Sequence, residues 1–282
     1  MSFVPDLDAY AARIGVTGPL PPTLATLHAI AYAHVRAIPF ENLDVLLGRG
    51  IDLAPATIER KLVHDRRGGY CFEQNTLLLH VLQALGFQAT PMSARVRVQR
   101  PRDYTPARTH LFVRVELDGE RWLVDVGVGA LSPTAALRLD TEDEQATPHE
   151  ARRILRAGRW HDADLRGPEA LRYHQVRFAD GWHDICEFTL EEMPEIDRIV
   201  GNWYTSAHPD SHFRNRLIVA RAVEGGRVVL VNRELSQRDR HRVATTRELT
   251  SPDELVTVLA DHFGLHFPAG TRFPCAALPG WS

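Results

Sequence analysis

The chain has few cysteines and no long apolar run. Its 282 residues include three cysteines, Cys71, Cys186 and Cys275, and no C-x-x-C pair. An odd number of widely spaced thiols argues against a disulfide framework and a thiolate zinc site, and we expect no metal. No stretch approaches the roughly 18 apolar residues that cross a bilayer. Because MSFVPDLDAY lacks the basic and apolar parts of a secretion signal, we expect a cytoplasmic protein without a membrane partner.

A surplus of positive charge is also lacking. Lysine and arginine number 33 against 36 aspartates and glutamates, for a net charge of -3, and no basic block exceeds two residues. This composition excludes the basic surface typical of proteins that bind nucleic acid. The hydrophobic fraction of 44% is that of a folded protein, and 282 residues suffice for two or three modest domains.

The spacing of apolar residues changes along the chain and predicts three parts. Residues 1–88 have mainly helical periodicity, whereas residues 89–200 alternate with a period of two, which is typical of an antiparallel sheet or barrel. Residues 201–282 combine a hairpin with a helix. The predicted fold class is therefore α+β, with a helical part, a β-barrel and a mixed α/β part in that order.

Individual elements follow from capping and turn residues. Helices are predicted at LATLHAIAYAHVRAI, TIERKLVHD and CFEQNTLLLHVLQAL, the first capped by Thr23. Asp118-Gly119 and Asp180-Gly181 predict tight turns between strands, and Gly225-Gly226 predicts a further hairpin. Ser251 opens a capping box for a last helix at ELVTVLADHF. The segment EEMPEIDRIVGNWYTSAHPDSHF gives no clear assignment.

Cys71 lies between a glycine pair and a predicted helix, in RRGGYCFEQN. The partial positive charge and free N–H groups of a helix N-terminus favour a thiolate, the nucleophilic form of cysteine. A free cysteine is also a common small core residue, so position alone leaves both interpretations open. We expect Arg67 and Gly69 to support the site, because a glycine pair permits a close backbone approach to the helix start.

The hairpin THLFVRVELDGERWLVDVGVG brings a histidine and an aspartate together. If Asp118-Gly119 is a two-residue turn, Leu117 pairs with Glu120 and the register is set. One face is then wholly apolar and consists of Leu111, Val113, Val115, Trp122, Val124 and Val126. The other face holds His110 and Asp125 as diagonal neighbours, with Cα atoms about 7 to 8 Å apart.

The same register predicts an opposite-charge pair between Glu116 and Arg121 on the face of the histidine. Cys71, His110 and Asp125 together make a nucleophilic triad. In it the histidine takes the thiol proton, and the carboxylate fixes its tautomer. A hydrogen-bonded sheet histidine and an acid at a strand end are the alternatives for His110 and Asp125 taken singly.

Four motifs, in matching order and at similar intervals, resemble the arylamine N-acetyltransferases. They are RGGYCFEQN around Cys71, PFENL at 39–43, THLFVRV around His110 and DVGVG around Asp125. The resemblance covers most of the chain and implies a helical first domain, a β-barrel second domain and an α/β lid, with boundaries at 1–88, 89–200 and 201–282. The first two domains of that family are similar to those of papain-like proteases and transglutaminases.

The resemblance also implies an activity. The family transfers acetyl from acetyl-coenzyme A to arylamines, arylhydrazines and hydrazides by a ping-pong route without a metal. Carried over to this chain, Cys71 is the acyl-thioester nucleophile, His110 the base and Asp125 the orienting residue. The expected partners are therefore small molecules: acetyl-coenzyme A as co-substrate and an amine or hydrazide as acceptor. A monomer and a homodimer both stay open.

Further residues are expected at the site. Glu73, in the first helical turn, is a surface acid or, as the resemblance implies, a buried partner that braces the site. Phe40 lines the acceptor pocket or is a plain core aromatic. The family places coenzyme and acceptor along the loop after the aspartate. The expected binding residues are Phe40, Thr109, Gly127, Gly129, Tyr204 and His212.

Three other functions stay open at this stage. An amide synthase of the same fold, which closes a macrolactam, would keep the triad and change the acceptor. A papain-like thiol hydrolase would pass the acyl group to water. A non-catalytic binding module would use the fold without its chemistry, although the intact Cys71, His110 and Asp125 argue against it.

Overall fold

The computed structural model describes residues 3–157, 170–239 and 243–281. These residues contain eight α-helices: α1 (Leu7–Ile14), α2 (Leu24–Ala37), α3 (Leu43–Leu46), α4 (Pro55–Glu59), α5 (Cys71–Ala84), α6 (Glu195–Ala207), α7 (His212–Asn215) and α8 (Pro252–Phe263). Helix α4 continues as a π-helical segment over Arg60–His64, and a 3₁₀ turn spans Gly129–Leu131.

The strands of the described residues form two antiparallel sheets. Their bounds are β1 (Phe40–Glu41), β2 (Gln88–Val96), β3 (His110–Leu117), β4 (Glu120–Val124), β5 (Leu137–Arg138), β6 (Arg152–Ala157), β7 (Leu171–Phe178), β8 (Gly181–Glu192), β9 (Ile218–Val223), β10 (Gly226–Val231), β11 (Glu234–Asp239) and β12 (Val243–Glu248). One sheet has the order β5-β4-β3-β2-β8-β7-β6 and the other β1-β9-β10-β11-β12. The predicted α+β class is confirmed.

The helix ends follow from capping residues. Thr23 caps α2 as predicted, because its hydroxyl accepts the N–H of Thr26, and Ser251 caps α8 through the N–H of Glu254. Helix α8 ends at Gly264, which takes the left-handed conformation with φ of 67°. Helix α6, in the segment that the sequence left unassigned, begins after Pro194.

The seven-stranded sheet curls into a nearly closed barrel around an apolar interior. Strands β5 and β6 form its two edges, and Gln145 links them. Its side chain exchanges two hydrogen bonds with the backbone of Arg138, and its own backbone pairs with Arg152. Gln145 thus bridges the two edges, through its side chain on β5 and through its backbone on β6.

The hairpin of β3 and β4 has the register predicted from its turn, with Leu117 opposite Glu120 and Val113 opposite Val124. Its apolar face packs against α1, α2 and α5 in one core. The side of the hairpin that holds Phe112 and Leu123 faces the barrel interior. Helices therefore cover one side of this hairpin, and the barrel contents cover the other.

One predicted turn is displaced, and one predicted charge pair has a further partner. Phe178 pairs with Gly181, so the turn between β7 and β8 consists of residues 179 and 180, one position earlier than predicted. Glu116 lies opposite Arg121 as predicted, and its charge helps to raise the pKa of Arg121, but the guanidinium of Arg121 hydrogen-bonds to the carboxylate of Asp140. An exposed arginine can reach several carboxylates, and strand register alone does not choose among them.

The five-stranded sheet joins the two ends of the chain, since β1 pairs with β9. Helix α8 packs on this sheet together with the closing residues of the chain. The division at 1–88, 89–200 and 201–282, and the role of the last part as a lid, stay predictions. Within the described ranges, the helices are too short or too polar to span a bilayer.

Asn42 fastens the first part of the chain to the last. Its Nδ2 donates to the carbonyl oxygens of Phe213 (2.6 Å) and Arg216 (2.7 Å), and its Oδ1 accepts the N–H of Ile218 (2.9 Å). Its side chain is buried. These three hydrogen bonds fix α7 and the start of β9 beside the loop that follows β1.

We expect Asn42→Ala to lower the free energy of unfolding by about 2 to 3 kcal/mol, because it leaves three backbone groups without partners. Chemical denaturation measures this loss. Gln83→Ala is the matched control, since it removes an exposed amide with a single hydrogen bond and should cost less than about 0.5 kcal/mol. Equal stability of the two variants would contradict the role of Asn42.

Candidate functional site

Cys71 is the first residue of α5, and two glycines bring it to that place. The N–H of Gly69 bonds to the carbonyl of Pro39, and the carbonyl of Gly69 accepts the N–H of Glu41. A Cβ atom on Gly68 would lie 2.2 Å from the carbonyl oxygen of Pro39, so only glycine fits. The close backbone approach predicted for this pair is confirmed, and it holds the start of α5 against β1.

The thiol of Cys71 is buried, with the residue 4% exposed. Its S–H donates to the carbonyl oxygen of Thr109 at 3.6 Å. Thr109 immediately precedes β3, so the thiol lies at the mouth of the barrel where that strand begins. The sulfur therefore contacts the residue that immediately precedes His110.

His110 and Asp125 meet as the hairpin register predicts. His110 opens β3, and Asp125 follows the last residue of β4. The Nε2 of His110 lies 2.7 Å from Oδ2 of Asp125, and both side chains are 2% exposed. Since Nε2 is engaged by the carboxylate, Nδ1 is the ring nitrogen left for the side-chain hydrogen bond with Cys71.

Burial and charge act in opposite directions on this pair. Burial by itself would lower the pKa of His110, but the carboxylate of Asp125 and the bond to Cys71 raise that pKa to about 10. Burial would raise the pKa of Asp125, but the charge of the imidazolium and the hydrogen bonds from His110, Gly127 and Asn75 lower it. Both groups therefore carry charge at neutral pH.

Asn75 is a site residue that the sequence did not predict. Its Nδ2 donates to Oδ1 of Asp125 (3.0 Å) and to the carbonyl of Leu111 (2.6 Å), and its Oδ1 accepts the N–H of Val126 (3.1 Å). Asn75 lies four residues after Cys71, on the same face of α5. The i+4 spacing within CFEQN was the available signal. Asn75 thus ties the helix of the cysteine to the hairpin of the aspartate.

Glu73 is buried and braces the start of α5. Its carboxylate accepts the N–H of Tyr70 (3.0 Å) and the ammonium of Lys61 (2.6 Å). Burial raises the pKa of Glu73, and the charge of Lys61 opposes that rise without cancelling it. A Cβ atom on Gly69 would lie 2.7 Å from this carboxylate, so glycine fits best at this position as well as at Gly68.

Arg67 connects the same region to the segment after β1. Its guanidinium binds the carboxylates of Glu41 (2.7 Å) and Asp44 (3.2 Å). It also lies over the ring of Phe267, 4.6 Å from the ring centroid. Asp44 in turn binds Lys61 at 2.7 Å. Arg67 and Glu73 therefore belong to one network of partly buried charges behind the cysteine.

The loop after Asp125 approaches the cysteine closely. The N–H of Gly127 donates to Oδ1 of Asp125 (2.9 Å), and a Cβ atom on Gly127 would lie 2.7 Å from the Cα of Cys71. Gly129 has φ of 80°, and a Cβ atom there would lie 3.4 Å from the ring of Phe40. Phe40, Gly127 and Gly129 thus surround Cys71, and Phe40 packs in one apolar cluster with it.

The rings of Tyr204 and His212 contact neighbouring aromatic side chains. Tyr204, on α6, stacks on His208 with ring centroids 4.7 Å apart. His212 opens α7, is exposed, and contacts the edge of Phe213. It is Phe213 whose ring reaches Phe40, at 5.9 Å between centroids. The coenzyme role expected for Tyr204 and His212 stays a prediction.

A cluster of buried charges binds the residues that follow the loop containing Gly127 and Gly129. Arg152, fully buried, donates to the carbonyl of Leu131 (2.8 Å), and Arg227 donates to the carbonyl of Ser132 (2.8 Å). Glu150 accepts hydrogen bonds from both arginines. Burial would raise the pKa of Glu150, but the arginines lower it well below its usual range. No local sequence signal marks this cluster, because its members come from distant strands.

Metal binding has no support in the described parts of the chain. Over residues 3–157, 170–239 and 243–281, no three His, Cys, Asp or Glu side chains are grouped so that they could hold a metal ion. His208 and His212 lie within these ranges, and their ring contacts are with aromatic side chains.

Comparisons with known proteins agree with the motif resemblance. A family model described as N-acetyltransferase matches residues 23–271. The arylamine N-acetyltransferase of Mycolicibacterium smegmatis is 41% identical over 268 residues, which cover 92% of either chain.

Solved structures give the same result. Nocardia farcinica arylamine N-acetyltransferase has a TM-score of 0.86 at 35% identity, covering 98% of this chain and 94% of its own. The structure of the Mycobacterium marinum enzyme in complex with CoA has a TM-score of 0.83 at 38% identity, covering 92% of both chains. The fold, the motifs and these likenesses agree, and the chain belongs to the arylamine N-acetyltransferase family of acetyltransferases.

Proposed function

We propose that this protein transfers acetyl from acetyl-coenzyme A to the amino group of arylamines, arylhydrazines or hydrazides by a ping-pong mechanism through an acetyl thioester on Cys71. The observation that carries the proposal is the buried set of Cys71, His110 and Asp125, in which a thiol at a helix start adjoins a charged histidine–aspartate pair. The solved complex of the M. marinum relative with CoA supports the choice of donor.

The first half-reaction starts with the proton of the Cys71 thiol already on Nδ1 of His110, so that a thiolate lies beside an imidazolium whose Nε2–H bonds to Asp125. The thiolate is stabilised by the N-terminus of α5 and attacks the carbonyl carbon of the thioester. The first N–H groups of α5, which a helix leaves without intrahelical acceptors, supply donors to the oxyanion. Coenzyme A leaves as a thiol and takes the proton from His110.

In the second half-reaction, the amine attacks the acetyl group on Cys71. Aromatic amines are largely unprotonated at neutral pH, so their lone pair is available. The C–N bond forms, the C–S bond breaks, and the amine proton passes through His110 to the departing Cys71 sulfur. One thioester is exchanged for another before the amide forms. His110 therefore gives a proton to a leaving sulfur in both half-reactions, first that of coenzyme A and then that of Cys71.

The residues around Cys71 have assigned roles in this proposal. Phe40, Thr109, Gly127 and Gly129 border the space in front of the sulfur, and they contact the acetyl group and the acceptor. Tyr204 and His212 contact the coenzyme further out. A further set supports the helix start without touching substrate: Arg67, Gly69 and Glu73.

The direct test is intact-protein mass spectrometry after mixing with acetyl-coenzyme A alone. We expect a gain of one acetyl group, located on Cys71 by peptide mapping, and its loss when an aniline or hydrazide is added. Cys71→Ala should gain no acetyl group and form no product. Cys186→Ala is the matched control, because Cys186 is an equally buried thiol in the barrel, and it should keep turnover within about two-fold.

Retained turnover in Cys71→Ala, or acetyl on another residue, would refute the mechanism. Release of the acetyl group to water at the same rate with and without amine would replace transfer by hydrolysis. These outcomes are distinguished by following both acetyl-enzyme and acetylated amine in one experiment.

The charged pair predicts a pH dependence of stability. The pKa of His110 is raised from 6.5 to about 10 in the folded protein, so the stabilisation is fully present below pH 6.5 and is lost as pH rises towards 10. Asp125→Asn removes the main cause of that rise. We therefore expect the difference in unfolding free energy between wild type and Asp125→Asn to shrink from pH 6.5 to pH 10.

Urea denaturation at several pH values across this window measures the difference. Asp140→Asn is the control, since the carboxylate of Asp140 binds Arg121 at the surface, and its pKa is lowered, not raised. Its effect on stability should be constant over the same window. A constant difference for Asp125→Asn as well would contradict a charged histidine in the folded protein.

A further inference from the structure

Helix α6 presents a stripe of large apolar side chains to solvent. The exposed fractions are 63% for Ile196, 48% for Ile199, 59% for Val200 and 60% for Trp203. Their i, i+3, i+4, i+7 spacing places them on one face of the helix. A contiguous exposed apolar stripe of this kind typically marks an interaction surface.

The opposite face of α6 holds the helix against the rest of the protein, and the apolar stripe stays exposed. Gly201 packs directly on Phe72, and a Cβ atom on it would lie 2.7 Å from the end of that ring. Asn202 accepts a hydrogen bond from the hydroxyl of Tyr70 and donates to the carbonyl of Ile51 (2.9 Å). The inward face is thus small and polar, and the outward face carries the apolar area.

The stripe is symmetric about its own centre. A two-fold axis between Ile199 and Val200 would lay α6 antiparallel on α6 of a second copy. Ile196 then meets Trp203 of the second copy, and Ile199 meets its Val200. Each large side chain finds a large apolar partner, which is the self-complementarity that a two-fold interface requires.

Charges at the two ends of α6 complement one another in the same arrangement. Glu192, exposed, lies just before the helix, and the guanidinium of Arg214 donates to the carbonyl of Ala207 at its last turn (2.9 Å). An antiparallel pairing brings the start of α6, where Glu192 lies near Arg198, close to the last turn of α6 of the second copy and to Arg214 there. The two helix dipoles are also antiparallel, which favours the pairing.

We propose that α6 is the two-fold interface of a homodimer, with a second copy of this chain as the occupant of its apolar stripe. The palindromic order of the apolar residues and the opposite charges at the helix ends favour a second copy over an unrelated partner. The helix is 13 residues long, or about 20 Å. A contact centred on it lies at the small end of stable interfaces, so the Kd is on the order of 10 μM.

Sedimentation equilibrium of the full chain tests this directly. At about 100 μM, well above that Kd, wild type should be mainly dimeric. Val200→Glu places a charge at the centre of the contact and should raise the Kd by roughly 100-fold. Val4→Glu is the matched control, because Val4 is 75% exposed and outside α6, and it should leave the Kd unchanged. At about 1 μM, where wild type is mainly monomeric, both variants should keep its Tm.

A charge exchange tests the antiparallel register. Glu192→Lys and Arg214→Glu should each raise the Kd by about five-fold, because each places like charges together twice per dimer. The double variant should return the Kd to within about two-fold of wild type. A monomeric wild type, a dimer that Val200→Glu leaves intact, or additive losses in the double variant would each overturn the proposal.

Discussion

The hydrogen bond between His110 Nε2 and Asp125 Oδ2 is the interaction on which the rest of the site depends. Burial alone would favour the neutral form of both side chains, and each keeps its charge because the other lies beside it. The same bond directs the free ring nitrogen towards Cys71. Asn75 connects this pair to the helix that begins at Cys71, so one hydrogen-bonded network joins the pair to α5.

Close backbone contacts set the positions of these elements. Gly68 lies against the carbonyl of Pro39, and Gly127 lies against Cys71, at distances that leave no room for a Cβ atom. Buried ion pairs hold the segments that make these contacts, with Glu73 two residues after the cysteine and Glu150 beyond the loop that contains Gly127 and Gly129. Because a buried charge without its partner is costly, each pair resists separation of the segments it joins.

The sequence predicts much of this arrangement where the determinants are local. The turn at Asp118-Gly119 fixes the hairpin register, and the register places His110 beside Asp125. The role of Asn75, the arginine cluster around Glu150 and the choice of Asp140 by Arg121 depend on which distant strands meet. The sequence did not predict helix α6. Apolar residues at helical spacing normally mark the buried face of a helix, but in α6 these residues face solvent.

Titration of the His110 ring by ¹⁵N NMR, with the assignment made from a His110→Gln variant, determines whether this histidine is charged in the folded protein. We expect both ring nitrogens to stay protonated at neutral pH and the ring to lose a proton with a midpoint at about pH 10. A midpoint near the ordinary histidine value of about 6.5 would contradict this expectation. In that case Asp125 would orient a neutral imidazole, and the charged pair would not exist in the free protein.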